Sequence, residues 1–151
     1  MRTEIIKLDI ADFEKCGNIW DLDQQKELAG MCRRELISGN RITYIFTVDK
    51  EFIGEISLVK NEADPDYTIP GRRIYISRLI VKPEFRRQGI GKRLLSYSID
   101  RAIELGCSEM SIGVDLDNYP ALKLYIDAGF DKVIFIGEDE YGRFVKLLKI
   151  L

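Results

Sequence analysis

The apolar residues change their period in mid-chain, across a turn that is both basic and rich in glycine. RIYISRLIV (73–81) is a β-branched run, the pattern of a buried strand. Pro83 stops it. From Gly91 the spacing turns helical, with Leu94, Leu95, Ile99, Ala102 and Ile103 on one face. Gly106 follows the last turn, where a left-handed cap is expected. Between strand and helix lies VKPEFRRQGIGKRLL (81–95), which carries Lys82, Arg86, Arg87 and Lys92 around Gly89 and Gly91. A strand, a turn and a helix in that succession confine the chain to folds that interleave the two.

The remainder of the chain keeps to the same class. TEIIKL (3–8) reads as a short strand, and residues 10–37 read as helical in two pieces. In the second piece Leu28, Met31, Cys32 and Leu36 recur at helical spacing, and Ser38-Gly39-Asn40 ends it. ITYIFTV (42–48) and FIGEISLV (52–59) form a hairpin across Asp49-Lys50-Glu51. Residues 61–73, with two prolines and a glycine, are a loop. EMSIGV (109–114) is a strand. Asn118 then caps a helix that carries Leu122, Tyr125 and Ile126 and ends at Gly129. VIFIG (133–137) and RFVKLLKIL (143–151) close the chain. The order β-α-α-β-β-β-α-β-α-β-β predicts an α/β fold, a mixed central β-sheet flanked by helices in one domain of 151 residues.

Composition narrows the chemistry. Lysine and arginine number 23 against 25 acidic residues, a balance that points away from nucleic acid as a partner. No apolar run reaches the length of a membrane span, and MRTEIIKLDI lacks the apolar stretch of a signal peptide. Cys16, Cys32 and Cys107 are odd in number and form no C-x-x-C pair, so neither a disulfide framework nor a metal site is expected; free thiols suit a cytoplasmic chain. Histidine is absent, which excludes Ser-His and Cys-His catalysis and H-E-x-x-H metal sites. Any acid or base must be Glu, Asp, Tyr, Lys, Cys or water.

The start of a helix leaves unpaired N–H groups and a positive dipole end, and glycines let an anion approach the backbone closely. A phosphate or pyrophosphate on the turn is the functional reading; a solvated basic turn whose glycines serve geometry is the plain one. The P-loop does not fit, because Arg86 and Arg93 stand where its first glycine and its Ser/Thr belong. The dinucleotide fingerprint fails at Leu94. Arg86-Arg87-Gln88-Gly89-Ile90-Gly91 instead reads as [QR]-x-x-G-x-[GA]. It is preceded by hydrophobic-x-Val-x-Pro and followed by an amphipathic helix, and it resembles the acetyl-CoA site of the GNAT N-acetyltransferases. Asn118, Ala121 and LYIDAGF (124–130) are similar to a second segment of that family.

The resemblance, close from about Ile74 to Phe130, implies a GNAT-like acyltransferase fold and acetyl-CoA as cosubstrate, with no metal. Acceptor-side elements would occupy about 1–73, the acetyl-CoA core 74–130 and a C-terminal hairpin 131–151. The pantetheine arm would pair with the backbone of Leu79, Ile80 and Val81. The pyrophosphate would lie on the backbone from Arg87 through Gln88, Gly89, Ile90 and Gly91 to Lys92, with the Arg86 and Arg87 side chains nearby. Asn118 is a helix cap on its own evidence; in the resemblance, it and Ala121 also meet the cofactor. Tyr125 is by spacing a half-buried aromatic, and by resemblance the acid that protonates the departing CoA thiolate. The implied reaction is direct acetyl transfer to a primary amine of a small molecule, peptide or protein.

The general base is where the chain departs from part of the family. The strand 74–81 offers Ser77 and Arg78 but no carboxylate. Glu55 on FIGEISLV is the best candidate, against the plain reading of an exposed strand residue; Asp115 and water are others. Cys107 reads as core. Glu62, Asp64 and Asp66 make the 61–73 loop acidic, which either attracts a cationic amine or is simply solvated. Two rival functions stay open: a non-catalytic acetyl-CoA-binding sensor or interaction module, and an acyltransferase for a longer acyl-CoA. An exposed strand in the C-terminal hairpin is one route to a homodimer.

Overall fold

The computed structural model describes all 151 residues. β1 (Thr3–Lys7) leads into a 3-10 helix (Ile10–Asn18) and α1 (Lys26–Ser38). β2 (Arg41–Val48), β3 (Glu51–Val59) and β4 (Arg73–Val81) follow. Next come a short 3-10 turn (Pro83–Phe85), α2 (Ile90–Glu104), β5 (Glu109–Asp115), α3 (Tyr119–Asp127), β6 (Lys132–Asp139) and β7 (Gly142–Ile150). The strands make one mixed sheet ordered β1-β2-β3-β4-β5-β7-β6. β4 and β5 are parallel, over Arg73–Tyr75 and Glu109–Ser111; β5 with β7 and β6 with β7 are antiparallel. This is the mixed α/β sheet that the element order predicts. The chain divides into two compact units, Met1–Leu58 with Ser77–Ser98, and Val59–Ile76 with Ile99–Leu151.

In the first unit the 3-10 helix replaces the first of the two expected helical pieces. Ile10, Phe13, Cys16 and Ile19 are spaced by three, the repeat of a 3-10 helix rather than the 3.6 of an α-helix. Asp9 caps it, its side chain accepting from Ala11 N at 2.9 Å. Phe13, Cys16 and Ile19 join Leu8, Trp20, Cys32, Ile45 and Phe52 in a core cluster, with Leu28, Leu36 and Ile80 packed against it. Met31, expected on the inner face of α1, is 37% exposed, because Leu28, Cys32 and Leu36 at i, i+4 and i+8 already fill that face. Asp49 and Lys50 both have positive φ, 48° and 70°, the signature of a two-residue hairpin turn. The expected three-residue connection is therefore one residue shorter. β3 is an inner strand and is buried on both faces from Phe52 to Val59.

In the second unit, buried Glu109 at the start of β5 accepts from Arg73 Nε at 2.8 Å. Gly106, at φ +85°, donates to the Ile103 carbonyl while Cys107 N reaches back to Ala102, which closes α2. Ile103 itself is 53% exposed; in the part of α2 that belongs to the first unit, Ser98 takes an inward place, bonded to the Leu95 carbonyl. Ile126 likewise faces out, and Cys107 is only partly buried rather than core. β6 forms the edge of the sheet and leaves Val133, Phe135 and Ile136 exposed.

Candidate functional site

The basic turn belongs to the first unit. Lys82 N donates to the Ile53 carbonyl, and the 3-10 turn then carries the chain to Arg86 in extended conformation. Arg87 adopts φ +64° and Gly89 φ +80°. A left-handed conformation at a non-glycine residue costs on the order of 1–3 kcal/mol and persists where surroundings impose it. Alternating backbone hands of this kind turn successive N–H groups to one side, a concavity suited to anions. Arg93 N is the first amide of α2 to close on a turn carbonyl, that of Gly89, at 3.0 Å. The amides just ahead of it are those a helix start leaves open. Ile90 is buried and anchors the turn, while Arg87, Gln88, Gly89 and Lys92 are exposed. Gly91 is partly covered, as are Leu79, Ile80 and Val81 at the end of β4.

Two arginines near the turn have partners of their own. Arg86 Nε donates to the Val81 carbonyl at 3.0 Å, folding that side chain back on the strand. Arg93 lies over the Phe46 ring at 4.8 Å. Gly54 on β3 is required by contact: a Cβ there would stand 3.1 Å from the Ile80 carbonyl oxygen and 3.3 Å from Leu94.

Glu55 is not the exposed strand residue of the plain reading. It is 4% exposed, because β3 lies inside the sheet. Trp20 Nε1 donates to Glu55 Oε1 at 2.7 Å, and Arg78 Nε stands 4.0 Å from Oε2. The Arg78 guanidinium covers the Trp20 ring at 4.4 Å. Burial pushes the Glu55 carboxyl up, against the opposing pull of Arg78, the Trp20 hydrogen bond and Arg41. The same burial pushes the Cys16 thiol up to about 12, so that side chain is an inert core group. Sequence reasoning named Glu55 but missed Trp20 as its partner. A lone tryptophan next to an acidic stretch gives no signal for such a pair.

In the second unit Asn118 caps α3, its Oδ1 accepting from Ala121 N at 3.4 Å, and its own N donates to the Asp115 carbonyl. Two turns beyond the cap, Tyr125 packs its ring edge-on to Phe130, with centroids 6.2 Å apart. Tyr125 is 7% exposed, and burial pushes its hydroxyl up to about 12. The hydroxyl has no hydrogen-bond partner. Tyr125, Asn118, Ala121 and Asp115 line one cavity of about 520 Å³, together with Tyr67 and Tyr75.

The acidic loop also lies in this unit, and part of it is neither free nor merely solvated. Asp64 and Asp66 grip the Lys146 ammonium at 2.6 and 3.0 Å. That ammonium, and then the Asp66 amide, hold the Asp64 carboxyl below its usual range. Tyr67 stacks on Tyr75 with centroids 4.3 Å apart, and its carbonyl accepts from Ser111 Oγ. A Cβ on Gly113 would run into the Tyr67 hydroxyl, so the glycine of EMSIGV lets that ring lie against β5. Neither Tyr67 nor Gly113 nor Lys146 was visible as a site residue, since their meeting depends on contacts between segments distant along the chain.

The sequence profile of the acetyltransferase (GNAT) family matches residues 3–130. N-alpha-acetyltransferase 30 of Xenopus laevis is 41% identical over 66 residues, 42% of this chain and 24% of that protein. Thialysine N-epsilon-acetyltransferase of Bos taurus is 40% identical over 58 residues, 38% of this chain and 34% of that protein. The matched stretch thus spans about a quarter of the first relative and about a third of the second. A GNAT family acetyltransferase from Elizabethkingia anophelis with acetyl-CoA bound superposes with a TM-score of 0.74 at 19% identity, over 99% of this chain and 98% of that one. Aminoglycoside 6'-acetyltransferase type Ii gives 0.76 at 18% identity, over 97% and 96%. At these identities the structural likeness speaks for the fold.

Proposed function

The chain belongs to the GNAT acetyltransferase family, and on that premise we propose that it moves the acetyl group of acetyl-CoA directly to a primary amine. The acceptor class is a small molecule or the amine of a peptide or protein. The observation that carries this reading is the turn at the start of α2: left-handed Arg87 and Gly89, exposed and basic, ahead of open helix amides. The pyrophosphate of CoA is assigned to that backbone, from Arg87 to Lys92, and the pantetheine arm to the backbone of Leu79–Val81. In this division the backbone of residues 79–92 serves the cofactor, and the acceptor side draws on the elements of 1–73, the 61–73 loop among them. The bound acetyl-CoA in the Elizabethkingia anophelis protein supports the cosubstrate.

Direct transfer needs three things from the chain. The thioester carbonyl must be polarised, which an N–H of β4 can do. The attacking amine must lose a proton. Burial raises the Glu55 carboxyl, the direction in which a carboxylate becomes a stronger base, and Asp115, on the cavity, is the exposed alternative. The departing thiolate must be stabilised, and Tyr125 is assigned that task. At about 12 its hydroxyl stays protonated at any physiological pH. Passing that proton outright to a thiol whose pKa is near 8.5 is uphill by about 5 kcal/mol. Tyr125 therefore acts as a hydrogen-bond donor to the developing thiolate, and solvent supplies the proton that ends on CoA. Cys16, buried and inert, gives no support to an acyl-enzyme.

The held state of Glu55, with Trp20 on one oxygen and Arg78 beside the other, favours the second reading to the extent that a base must be free. In that reading the chain is an acetyl-CoA-binding module without turnover. Continuous assay of free CoA thiol with a panel of amines separates the two. Amine-dependent release supports transfer; acetyl-CoA binding without release supports the module. A longer acyl donor would show as faster release from that acyl-CoA. Placement in the cytoplasm, and a homodimer through the exposed apolar edge strand β6, are proposed on the free thiols and on Val133, Phe135 and Ile136.

A further inference from the structure

Resting on acetyl transfer as the function, we infer that the cavity of the second unit receives the acceptor, and that the acceptor is a small amine carrying a second positive charge and no carboxylate. Among its lining residues are three carboxylates, Asp64, Asp115 and Asp139, against one ammonium, that of Lys146. Lys146 is already taken by Asp64 and Asp66, so it offers no charge to an anionic ligand. Asp115 has no ion pair and no side-chain hydrogen bond. Asp139 spends one oxygen on Tyr141 N and keeps the other.

Two further observations make this more than an acidic rim. Tyr125 is more than nine-tenths buried and lines the cavity, and its hydroxyl, which has no partner within the protein, is open to what the cavity holds. The walls are also aromatic: Tyr67 stacked on Tyr75, with Phe144. The protein's own Lys146 shows what such walls accept, since its ammonium sits 5.1 Å from the Tyr67 ring centroid, within cation–π reach. An alkyl chain suits the aromatic surface, and an ammonium at its far end suits Asp115 or Asp139. A volume of about 520 Å³ is that of a small-molecule site.

The reaction at the near end is balanced by acetyl-CoA alone. The neutral amine nitrogen forms the C–N bond to the thioester carbon, and the C–S bond breaks. The amine gives up one proton to a carboxylate or water, and CoA leaves as thiolate hydrogen-bonded to Tyr125, gaining a proton from solvent. The products are the N-acetylamine and free CoA. A retained second ammonium would keep its hold on the carboxylates throughout.

The test uses three probes of equal chain length: 1,5-diaminopentane, pentylamine and 5-aminopentanoate. Two exposed carboxylates give an expected preference in kcat/KM of about tenfold for the diamine over pentylamine. The aminocarboxylate should fall below pentylamine. High salt and the double variant Asp115→Asn, Asp139→Asn should each drive the diamine-to-pentylamine ratio toward one. Calorimetric titration of 1,5-diaminopentane into CoA-loaded protein should show binding that the double variant weakens. Equal kcat/KM for diamine and pentylamine would overturn the inference and leave acetyl transfer standing. Acetyl-CoA binding with no turnover on any of the three would also overturn it, in favour of the cofactor-binding module. Absence of acetyl-CoA binding would remove the parent reading along with it.

Discussion

The two units of this chain offer chemistry of different kinds. In Met1–Leu58 with Ser77–Ser98, the basic turn presents backbone: its shape is set by two left-handed residues, and the anion site proposed there is made of amides. In Val59–Ile76 with Ile99–Leu151, the cavity presents side chains: a buried phenol, stacked rings and carboxylates. Their acids differ in the same sense. Glu55, in the first unit, is buried and pushed up; Asp64, in the second, is held down by Lys146. A backbone site is altered by changing what conformation the chain can hold. A side-chain site is altered one functional group at a time. The first should therefore answer to mutation in cofactor affinity and the second in turnover.

The largest effect is expected at Tyr125. Tyr125→Phe removes one hydroxyl from the cavity and keeps the ring packed on Phe130, so kcat should fall about a hundredfold. Acetyl-CoA affinity should change less than about threefold. A loss of affinity with kcat intact would erase the division between the units. Next is Gly113→Ala, which should cost about 1–3 kcal/mol in denaturant unfolding because the new methyl meets the Tyr67 hydroxyl. The cost should shrink in a Tyr67→Ala background; if it does not, the stacked floor is not what the glycine serves.

The smallest effect is a slope. Glu55 has a folded pKa raised above its unfolded value, so the native state binds the extra proton. Its contribution to stability is full below the unfolded pKa and is lost as pH rises through the folded one. Glu55→Gln removes that titration. The stability of the variant relative to the native chain should rise from about pH 4 toward neutrality, measured by urea unfolding across the range. A difference independent of pH, or one that falls, would mean that Arg78 and Trp20 outweigh desolvation.

How much of this the sequence discloses follows from how local each cause is. The strand, turn and helix from Arg73 to Glu104 are set by neighbours in sequence, and their boundaries were legible to within a residue. The three-residue spacing of Ile10, Phe13, Cys16 and Ile19 is equally local, but over so short a run it is hard to tell from the commoner helical period. Burial of Glu55 was not legible, since β3 with its mixed pattern is indistinguishable from an edge strand until the strand order is known. The same holds for Lys146, whose carboxylate partners are 82 and 80 residues away. Asn118 and Tyr125 could be placed on one helix by spacing, while the unpartnered hydroxyl and the cavity around it emerge only when loop 61–72, β5, α3 and β7 are packed.

The central claim, that the turn at Arg86–Lys92 holds the pyrophosphate of acetyl-CoA, is tested most directly by calorimetric titration of the native chain beside Gly89→Glu. Nothing lies within 4 Å of a Cβ at Gly89, so the variant has room to fold, which thermal unfolding checks. It disturbs the φ +80° backbone and sets a carboxylate against the ligand's own charge. The expected result is saturable binding by the native chain and affinity at least about tenfold weaker in the variant. Equal affinity in both, or no binding by the native chain, would contradict the assignment.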